Sequence, residues 1–245
     1  MSNLIIVPVG NPLTFDKRFD SENHWRIKTK TRNYKTWAIQ YNDYTPDKTT
    51  YDKLYKMSGM KWTLIKNLLN KVDYTKYEYI GFFDDDLITD VHNLNRAFQI
   101  ATENNFKAFQ LSLTEDSDLS YPILFNKPNT IYSRTNFIEI MAPIVHSSLI
   151  PLFLELWEMY NISTGWGFDK ILSKLINDDL YVIHDAKMLH PKKQESSYNK
   201  TNAWSEMSEL LNKVFPKFIH DKYNQDFKFT DRIIEYESVN NIKGD

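Results

Sequence analysis

The sequence predicts an α/β domain with a mostly parallel central sheet flanked by helices. Short continuous apolar runs, typical of buried strands, alternate along the chain with segments whose apolar residues recur at helical spacing. This alternation is typical of domains in which helices connect parallel strands. The 245 residues are 42% hydrophobic and 25% charged, which is the composition of an ordinary globular domain.

The first four elements are predicted by these two patterns. Residues 4–9 form an apolar run that ends at Gly10, as expected for a buried strand that stops at a turn. Residues 36–41 form a second apolar run. Apolar positions within 62–72 recur every three or four residues, which predicts a helix. Residues 77–83 form a third strand that leads directly into an acidic cluster.

The remaining elements follow from the same two patterns. The predicted helices are 94–101, 151–160, 170–176 and 205–215, and the predicted strands are 106–113, 136–142 and 180–183. The tail after Lys228 is polar and only weakly patterned. No internal repeat or long linker divides the chain, so we expect a single domain with an extension after about residue 195.

Composition and charge exclude several classes of function. Thirty Lys and Arg residues against 32 Asp and Glu give a net charge of −2, which argues against a nucleic-acid partner. The chain has no Cys, which excludes disulfides, thiolate metal sites and a cysteine nucleophile. The N-terminal residues lack the features of a signal peptide, and the most apolar stretch, 137–157, is interrupted by acidic residues and prolines. We therefore expect a soluble, cytoplasmic protein.

Three consecutive carboxylates, Asp84, Asp85 and Asp86, follow the predicted strand 77–83. Ligands of α/β domains bind beyond the carboxyl ends of the strands. Carboxylates gathered there need a counter-charge, and Mg²⁺ or Mn²⁺ often bridges such groups to a substrate phosphate. The alternative is a solvated acidic turn, or carboxylates that cap the following helix.

A second candidate site lies in the segment 164–169, Thr-Gly-Trp-Gly-Phe-Asp. The chain has only six Gly, and two of them flank Trp166, where close approach of the backbone to a ligand is possible. Trp166 offers a flat ring, and Asp169 offers a carboxylate that suits a general base. The alternative is that Trp166 belongs to the core and Asp169 caps a helix. His184 and His190 are candidate metal ligands, with hydrogen-bonded loop residues as the alternative.

These segments occur in an order that resembles the GT-A-fold glycosyltransferases. The ordered set consists of Pro-Val-Gly at 8–10, Tyr-Asn-Asp at 41–43, Lys-Trp at 61–62, Phe-Phe-Asp-Asp-Asp at 82–86, Glu-Ile-Met-Ala-Pro at 139–143, Gly-Trp-Gly-Phe-Asp at 165–169 and His-Pro at 190–191. More narrowly, the chain resembles an incompletely characterised, plant-abundant family and the first glycosyltransferase domain of large chlorovirus enzymes. The resemblance covers about residues 4–191.

The resemblance implies a GT-A fold, a nucleotide-sugar donor with uridine as the favoured base, and Mn²⁺ or Mg²⁺. On this resemblance Asp86 and His190 hold the metal, and Asp84 holds either the metal or the ribose. Asp85 contacts the ribose or the sugar. The other implied donor-side residues are Val9, Gly10 and Asp43 around the nucleoside and Lys61 towards the diphosphate. Residues 1–90 form the donor half of a single domain, 91–195 the acceptor half, and 196–245 an extension that could also meet a membrane surface.

The acceptor side is implied in the same way. Asp169 corresponds to the base of inverting galactosyltransferases, and Glu139, Trp166 and Gly167 lie on the acceptor side. The expected reaction transfers a hexose or deoxyhexose, with inversion, to a hydroxyl of a glycan or glycoconjugate. Those galactosyltransferases carry two adjacent acids, whereas this chain has Phe168 before Asp169.

Other classes of function remain open at this point. A glycoside hydrolase or phosphohydrolase could use the acidic cluster, with two carboxylates facing each other across the scissile bond. The aromatic content of 15% also suits a non-catalytic carbohydrate-binding module. A third alternative is a GT-A fold that has lost activity, against which the presence of both the acidic cluster and Asp169 argues.

Overall fold

A computed structural model describes residues 2–118, 121–177, 179–192, 199–229 and 232–240. The strands are β1 (Ser2–Val9), β2 (Tyr34–Gln40), β3 (Lys53–Lys56), β4 (Tyr77–Phe82), β5 (Ala108–Leu113), β6 (Thr130–Thr135), β7 (Ile144–His146), β8 (Leu180–Met188) and β9 (Glu235–Asn240). The α-helices are α1 (Lys61–Leu69), α2 (Val91–Asn104), α3 (Ile150–Met159), α4 (Phe168–Leu175), α5 (Lys200–Glu209) and α6 (Phe215–Tyr223). A π-helical turn, Leu210–Val214, joins α5 to α6.

The nine described strands form one sheet in the order β3-β2-β1-β4-β7-β5-β8-β6-β9. The β1–β2, β2–β3, β1–β4 and β5–β8 pairs are parallel. Strand β7 is antiparallel to both β4 and β5, and β6 is antiparallel to β8 and β9. Only β6 and β7 therefore run against the other described strands, which confirms the predicted mixed α/β fold with a mostly parallel sheet.

The apolar runs of the central strands form the core. From Leu4 to Val7 every side chain of β1 is fully buried, which explains why this strand has no polar face. Where α1, α3 and α4 meet, the rings of Trp62, Trp157 and Phe168 pack with centroids 5.1 to 5.8 Å apart. This aromatic cluster fixes the start of α4 against the sheet.

The strand predicted over 136–142 is wrong. These residues form an irregular segment between β6 and β7, although Phe137, Ile138 and Met141 are buried. Its last residues lie along the end of β4, where Phe82 N donates to the Pro143 carbonyl and Asp84 N to the Met141 carbonyl. The apolar run correctly indicated burial, but burial alone does not distinguish a strand from an irregular core segment.

Strand β9 lies in the tail that the sequence pattern left unassigned. All six of its side chains are exposed, and it pairs with β6 at the edge of the sheet. Because both faces of β9 contact solvent, the strand lacks the alternation of apolar and polar residues that predicts a half-buried strand.

The predicted C-terminal helix, 205–215, is longer in the structure. It begins at Lys200 and continues through the π-helical turn into α6, which ends at Tyr223. Within the described ranges, no helix combines the length and the apolar character needed to cross a bilayer.

Candidate active-site cleft

A cavity of about 1050 Å³ opens beyond the carboxyl end of β4. Its lining includes eight of the residues selected from the sequence: Lys61, Asp84, Asp85, Glu139, Trp166, Gly167, Asp169 and His190. Residues of α5 and of the turn after it complete one wall. Its location agrees with the rule that α/β domains bind ligands beyond the ends of their strands, and its volume suits a ligand of substantial size.

The structure brings the three predicted metal ligands together. Ligand atoms of Asp84, Asp86 and His190 all lie within 4.8 Å of one another. Reciprocal backbone hydrogen bonds of 2.9 and 2.8 Å between Ile88 and Leu189 hold the two chain segments side by side. The His190 Nε2 atom is buried and has no hydrogen-bond partner among the described residues. Two carboxylates and an imidazole suit a divalent cation, so these residues fit a metal ion.

Lys61, at the start of α1, connects this helix to Asp84 and to the 139–143 segment. Its Nζ lies 2.8 Å from Asp84 Oδ1, and it donates to the carbonyls of Ile140 and Met141 at 2.7 and 3.0 Å. The ammonium therefore neutralises part of the acidic cluster and fixes the 139–143 segment beside it.

Asp85 holds the loop after β1. Its Oδ2 accepts hydrogen bonds from the backbone N–H groups of Gly10 and Asn11 at 2.9 and 3.1 Å. Burial raises the pKa of Asp85, and the hydrogen bond from Gly10 opposes this effect. The buried Arg26 also contacts this residue, with Nη1 3.5 Å from the Asp85 carbonyl oxygen.

The other residues predicted to line the nucleoside pocket lie at the ends of two adjacent strands. Val9 is fully buried in the core at the end of β1, and Asp43 is exposed in the turn after β2. The Gly10 carbonyl accepts a hydrogen bond of 3.0 Å from Asn42 Nδ2, which connects the two strand ends. Pro8 and Tyr41, rather than Val9 and Asp43, line the cavity here.

The glycines on both sides of Trp166 are required by the backbone. Gly165 and Gly167 have φ values of +84° and +87°, a backbone region that residues other than Gly rarely adopt. A Cβ atom at Gly165 would lie 2.0 Å from Trp62 Nε1, and one at Gly167 would lie 2.8 Å from Met207 Cγ. The loop therefore packs closely against both α1 and α5. Trp166 is half-buried and lines the cleft, so it does not belong to the core.

Asp169 lies in the first turn of α4 and lines the cavity. Its Oδ1 accepts a hydrogen bond of 2.8 Å from Lys170 N, while Gly167 occupies the N-cap position of the helix. Burial raises the pKa of Asp169 to about 6, against the opposing charge of Lys170. A carboxylate with this pKa, facing a cleft, has the properties of a general base.

The hydrogen bonds of His184 identify it as a structural residue. It is buried within β8, where its Nδ1 accepts from Lys127 N at 3.2 Å and its Nε2 lies 3.0 Å from Ser133 Oγ. Burial lowers the pKa of His184 to about 4. The hydrogen-bonded alternative therefore holds for His184, whereas His190 lies in the metal-ligand group.

Two residues of α5 at this site were not selected from the sequence. The buried Glu206 carboxylate accepts hydrogen bonds from five donors: the N–H and hydroxyl groups of Ser163 and Thr164 and the N–H of Gly165. Trp204 is 58% exposed and lines the cleft beside Trp166. The sequence around them shows only a weakly amphipathic helix, so no local pattern distinguishes either residue.

No protein-family model matches the sequence, and no curated protein matches it. Among solved structures, the chain is similar to residues 1–349 of TarS from S. aureus in complex with UDP-GlcNAc. The TM-score is 0.53 at 11% identity, over 92% of this chain and 74% of that chain. Another crystal structure of TarS 1–349 gives a TM-score of 0.48 at 11% identity, over 91% and 74% of the two chains. The similarity to the complex with UDP-GlcNAc, at a TM-score above 0.5, confirms the predicted fold class, an α/β domain with a GT-A-like fold.

Proposed function

We propose that this protein is a metal-dependent glycosyltransferase that moves a sugar from a nucleoside diphosphate sugar to a hydroxyl group of a glycan or glycoconjugate. The observation that carries the proposal is the convergence of Asp84, Asp86 and His190. Two of them, Asp84 and His190, line the same cleft as Asp169. A donor diphosphate needs a cation, and an acceptor hydroxyl needs a base. The cleft offers residues suited to both.

A UDP-linked sugar is the proposed donor. TarS, whose fold is similar, was crystallised in complex with UDP-GlcNAc. In this proposal the donor half is 1–90, with the nucleoside near Val9, Gly10 and Asp43, where the ends of β1 and β2 lie side by side. There Pro8 and Tyr41 form the surface of the cavity beside these residues. Asp85 stabilises that loop through Gly10 and faces the ribose or the sugar. The narrower resemblance to plant-abundant and chlorovirus proteins stays a prediction, as does transfer of a hexose or deoxyhexose.

Asp84, Asp86 and His190 are the proposed ligands of Mn²⁺ or Mg²⁺. When bound, such an ion supplies Lewis-acid stabilisation of the negative charge that develops on a departing diphosphate. Lys61 adds a second positive charge beside Asp84 and faces the diphosphate. With the ion bound, the charges of Asp84 and Asp86 would be offset, and Lys61 would add one positive charge on the proposed donor side of the cleft.

Asp169 is the proposed base. It accepts the proton of the acceptor hydroxyl while the oxygen attacks the anomeric carbon, and the bond to the diphosphate breaks on the opposite face, so the configuration inverts. Glu139, Trp166 and Gly167 form the acceptor side and orient that hydroxyl, which lowers the entropic part of the barrier. These residues belong to the proposed acceptor half, 91–195, and the extension from 196 packs on it through α5.

Thermal denaturation with nucleotides tests the donor proposal. We expect UDP with Mn²⁺ to raise the melting temperature more than UDP alone or GDP, dTDP or CMP with Mn²⁺. At a hundredfold excess over Kd the gain is about 2.7 kcal/mol, or roughly 5–10 °C for a chain of this size. Asp86→Asn and His190→Gln should abolish the part of the shift that depends on Mn²⁺.

The matched control is Asp221→Asn, which changes an exposed carboxylate on α6 and should leave the response unchanged. A panel of UDP-sugars with a panel of glycan acceptors then tests transfer, measured as released UDP. A response to Mn²⁺ and UDP that persists in both site variants would contradict the metal assignment. Sugar binding that neither nucleotide nor metal affects would favour the carbohydrate-binding module, and glycan hydrolysis without nucleotide the hydrolase.

A further inference from the structure

The chain returns to the cleft after its last proposed metal ligand. Helix α5 lies against the 163–167 loop, and Lys200, Trp204 and Met207 line the cavity. Trp204 is the most exposed of the large hydrophobic side chains in the described ranges, at 58%. An exposed indole on a helix is unremarkable alone, but this one forms part of the wall of the candidate active site.

Trp204 and Trp166 form a corner. Their ring centroids are 5.2 Å apart and their planes are inclined by 81°, so the edge of one ring meets the face of the other. This edge-to-face arrangement is a favourable geometry for two aromatic rings. The two rings thus lie nearly at right angles, and both residues line the cavity that Asp169 also lines.

The two rings belong to segments that are fixed to each other. Glu206, two residues after Trp204, accepts hydrogen bonds from Ser163, Thr164 and Gly165, directly before Trp166. On the other side of Trp166, Met207 leaves no room for a side chain at Gly167. The corner therefore exists before any ligand arrives, which reduces the entropic cost of binding.

We propose that Trp204, together with Trp166, forms a subsite for a sugar ring of the acceptor. A pyranose ring has an apolar face of C–H groups and a rim of hydroxyls. The indole surfaces would cover the apolar face, which removes apolar area from water on both partners. Lys200, one helical turn before Trp204, and the carboxylates of the cleft lie within the same cavity to meet the hydroxyls.

The inference rests on the proposed function, because an acceptor sugar has a role only in a transferase. It extends that function by assigning the acceptor subsite to Trp204, which lies outside residues 4–191, the part of the chain that carries the family resemblance. It also gives the extension from 196 a direct role in recognising the acceptor.

An immobilised panel of varied glycans tests the subsite, because it samples many candidate acceptors at once. Fluorescently labelled full-length protein is applied in the presence of UDP and Mn²⁺. We expect the wild type to bind a subset of the glycans, Trp204→Ala to lower that signal at least tenfold, and Trp204→Phe to retain most of it. Tyr223→Ala, which removes another exposed aromatic ring at the end of α6, is the matched control and should bind as the wild type does.

The thermal response to UDP and Mn²⁺ separates the two proposals. If Trp204→Ala keeps both that response and full glycan binding, the subsite is wrong while the transferase proposal stands. If the wild type responds to UDP and Mn²⁺ but binds no glycan of the panel, the sugar subsite is again overturned. If the wild type binds glycans but does not respond to any nucleotide, the transferase proposal fails and the aromatic corner belongs to a carbohydrate-binding protein.

Discussion

The ammonium of Lys61 lies 2.8 Å from Oδ1 of Asp84, at the edge of the candidate metal site. Both side chains are largely buried, with 15% and 30% of their surfaces exposed. Lys61 thus supplies a permanent positive charge to carboxylates that would otherwise repel each other when no cation is bound. It would also compete with a bound cation for the Asp84 carboxylate.

Lys61→Met should therefore have two effects. It leaves Asp84 without its counter-charge, and the Ile140 and Met141 carbonyls each lose a hydrogen bond from Lys61, although Met141 keeps the one from Asp84 N. We therefore expect unfolding to become easier by about 1–3 kcal/mol in EDTA. Because a competing positive charge is lost, Mn²⁺ should stabilise the variant more than it stabilises the wild type. Chemical denaturation with EDTA and with Mn²⁺ measures both effects.

Lys66→Met is the control on the same helix. Lys66 also pairs with a carboxylate, at 3.3 Å from Glu158, and donates to the Trp157 carbonyl, but it does not line the cleft. This variant should lose stability without a change in the response to Mn²⁺. An equal Mn²⁺ response in wild type, Lys61→Met and Lys66→Met would show that Lys61 does not influence the metal site.

Asp169→Asn should separate activity from stability. The folded-state pKa of about 6 lies above the ordinary value of 3.8, so the folded protein binds more protons than the unfolded chain between these pH values. The contribution of Asp169 to stability therefore falls as pH rises from about 4 to 6, and remains a constant penalty above pH 6. At pH 7.5 the Asn variant should be as stable as the wild type or more stable by about 1–2 kcal/mol. The gain is small because the Asp169 carboxylate is only partly buried, so solvent screens its charge.

Transfer by the same variant should fall by about 10²–10⁴-fold, the usual loss when a general base is removed. In the wild type at saturating Mn²⁺, transfer should fall as the pH drops below about 6, because the carboxylate becomes protonated. UDP release at pH 5 to 8 measures this profile. Near wild-type transfer by a folded Asp169→Asn variant would show that another group accepts the proton.

His184 should make the fold sensitive to acid. Its pKa of about 4 lies below the ordinary value of 6.5, so the unfolded chain binds a proton before the folded protein does. Stability contributed by His184 is complete above pH 6.5 and is lost as pH falls towards 4, by up to about 1.4 kcal/mol per pH unit. His184→Gln keeps a hydrogen-bonding group without this titration, so its stability should depend less on pH in urea denaturation at pH 7, 5.5 and 4.5. Parallel pH curves for the two proteins would exclude the contribution.

Glu206→Gln should loosen the loop that carries Trp166. An amide has one acceptor oxygen where the carboxylate has two, so it cannot satisfy all five donors from residues 163–165. We expect faster hydrogen exchange of the Ser163, Thr164 and Gly165 amides and weaker glycan binding, with an unchanged response to UDP and Mn²⁺. Glu209, which is also on α5, accepts a hydrogen bond from the Tyr160 hydroxyl, and Glu209→Gln should leave these amides protected. Equal protection in both variants would contradict the role of Glu206 in fixing the loop.

The proposed donor side of the site was predictable because the residues that form each part of it lie close together in the sequence. Strands β1 and β4 appear as continuous apolar runs, and Asp84 and Asp86 follow β4 directly. The parallel pairing of neighbouring strands then brings their ends to one edge of the sheet. The meeting of His190 with these carboxylates followed from a resemblance rather than from periodicity, since the Ile88–Leu189 pairing that unites the segments spans about a hundred residues.

The proposed acceptor wall was not predictable in the same way. Glu206 is recognisable only from the five donors that surround it, and these come from a loop some forty residues earlier. Strand β9 forms through pairing with β6, while its exposed side chains carry no pattern of burial. The irregular 136–142 segment shows the opposite case, in which an apolar pattern reflects packing without regular structure.

The position of α5 in the chain has a consequence for how acceptor preference can diversify. The residues proposed to hold the donor and the metal lie before residue 191, whereas Lys200, Trp204 and Met207 enter the cleft from the segment that follows. Exchange of residues 199–223 between related proteins would therefore replace one wall of the cleft and leave Asp84, Asp86 and His190 in place. Under the proposed function, a library of chimaeras that recombines at this boundary would vary the acceptor side while keeping the donor side.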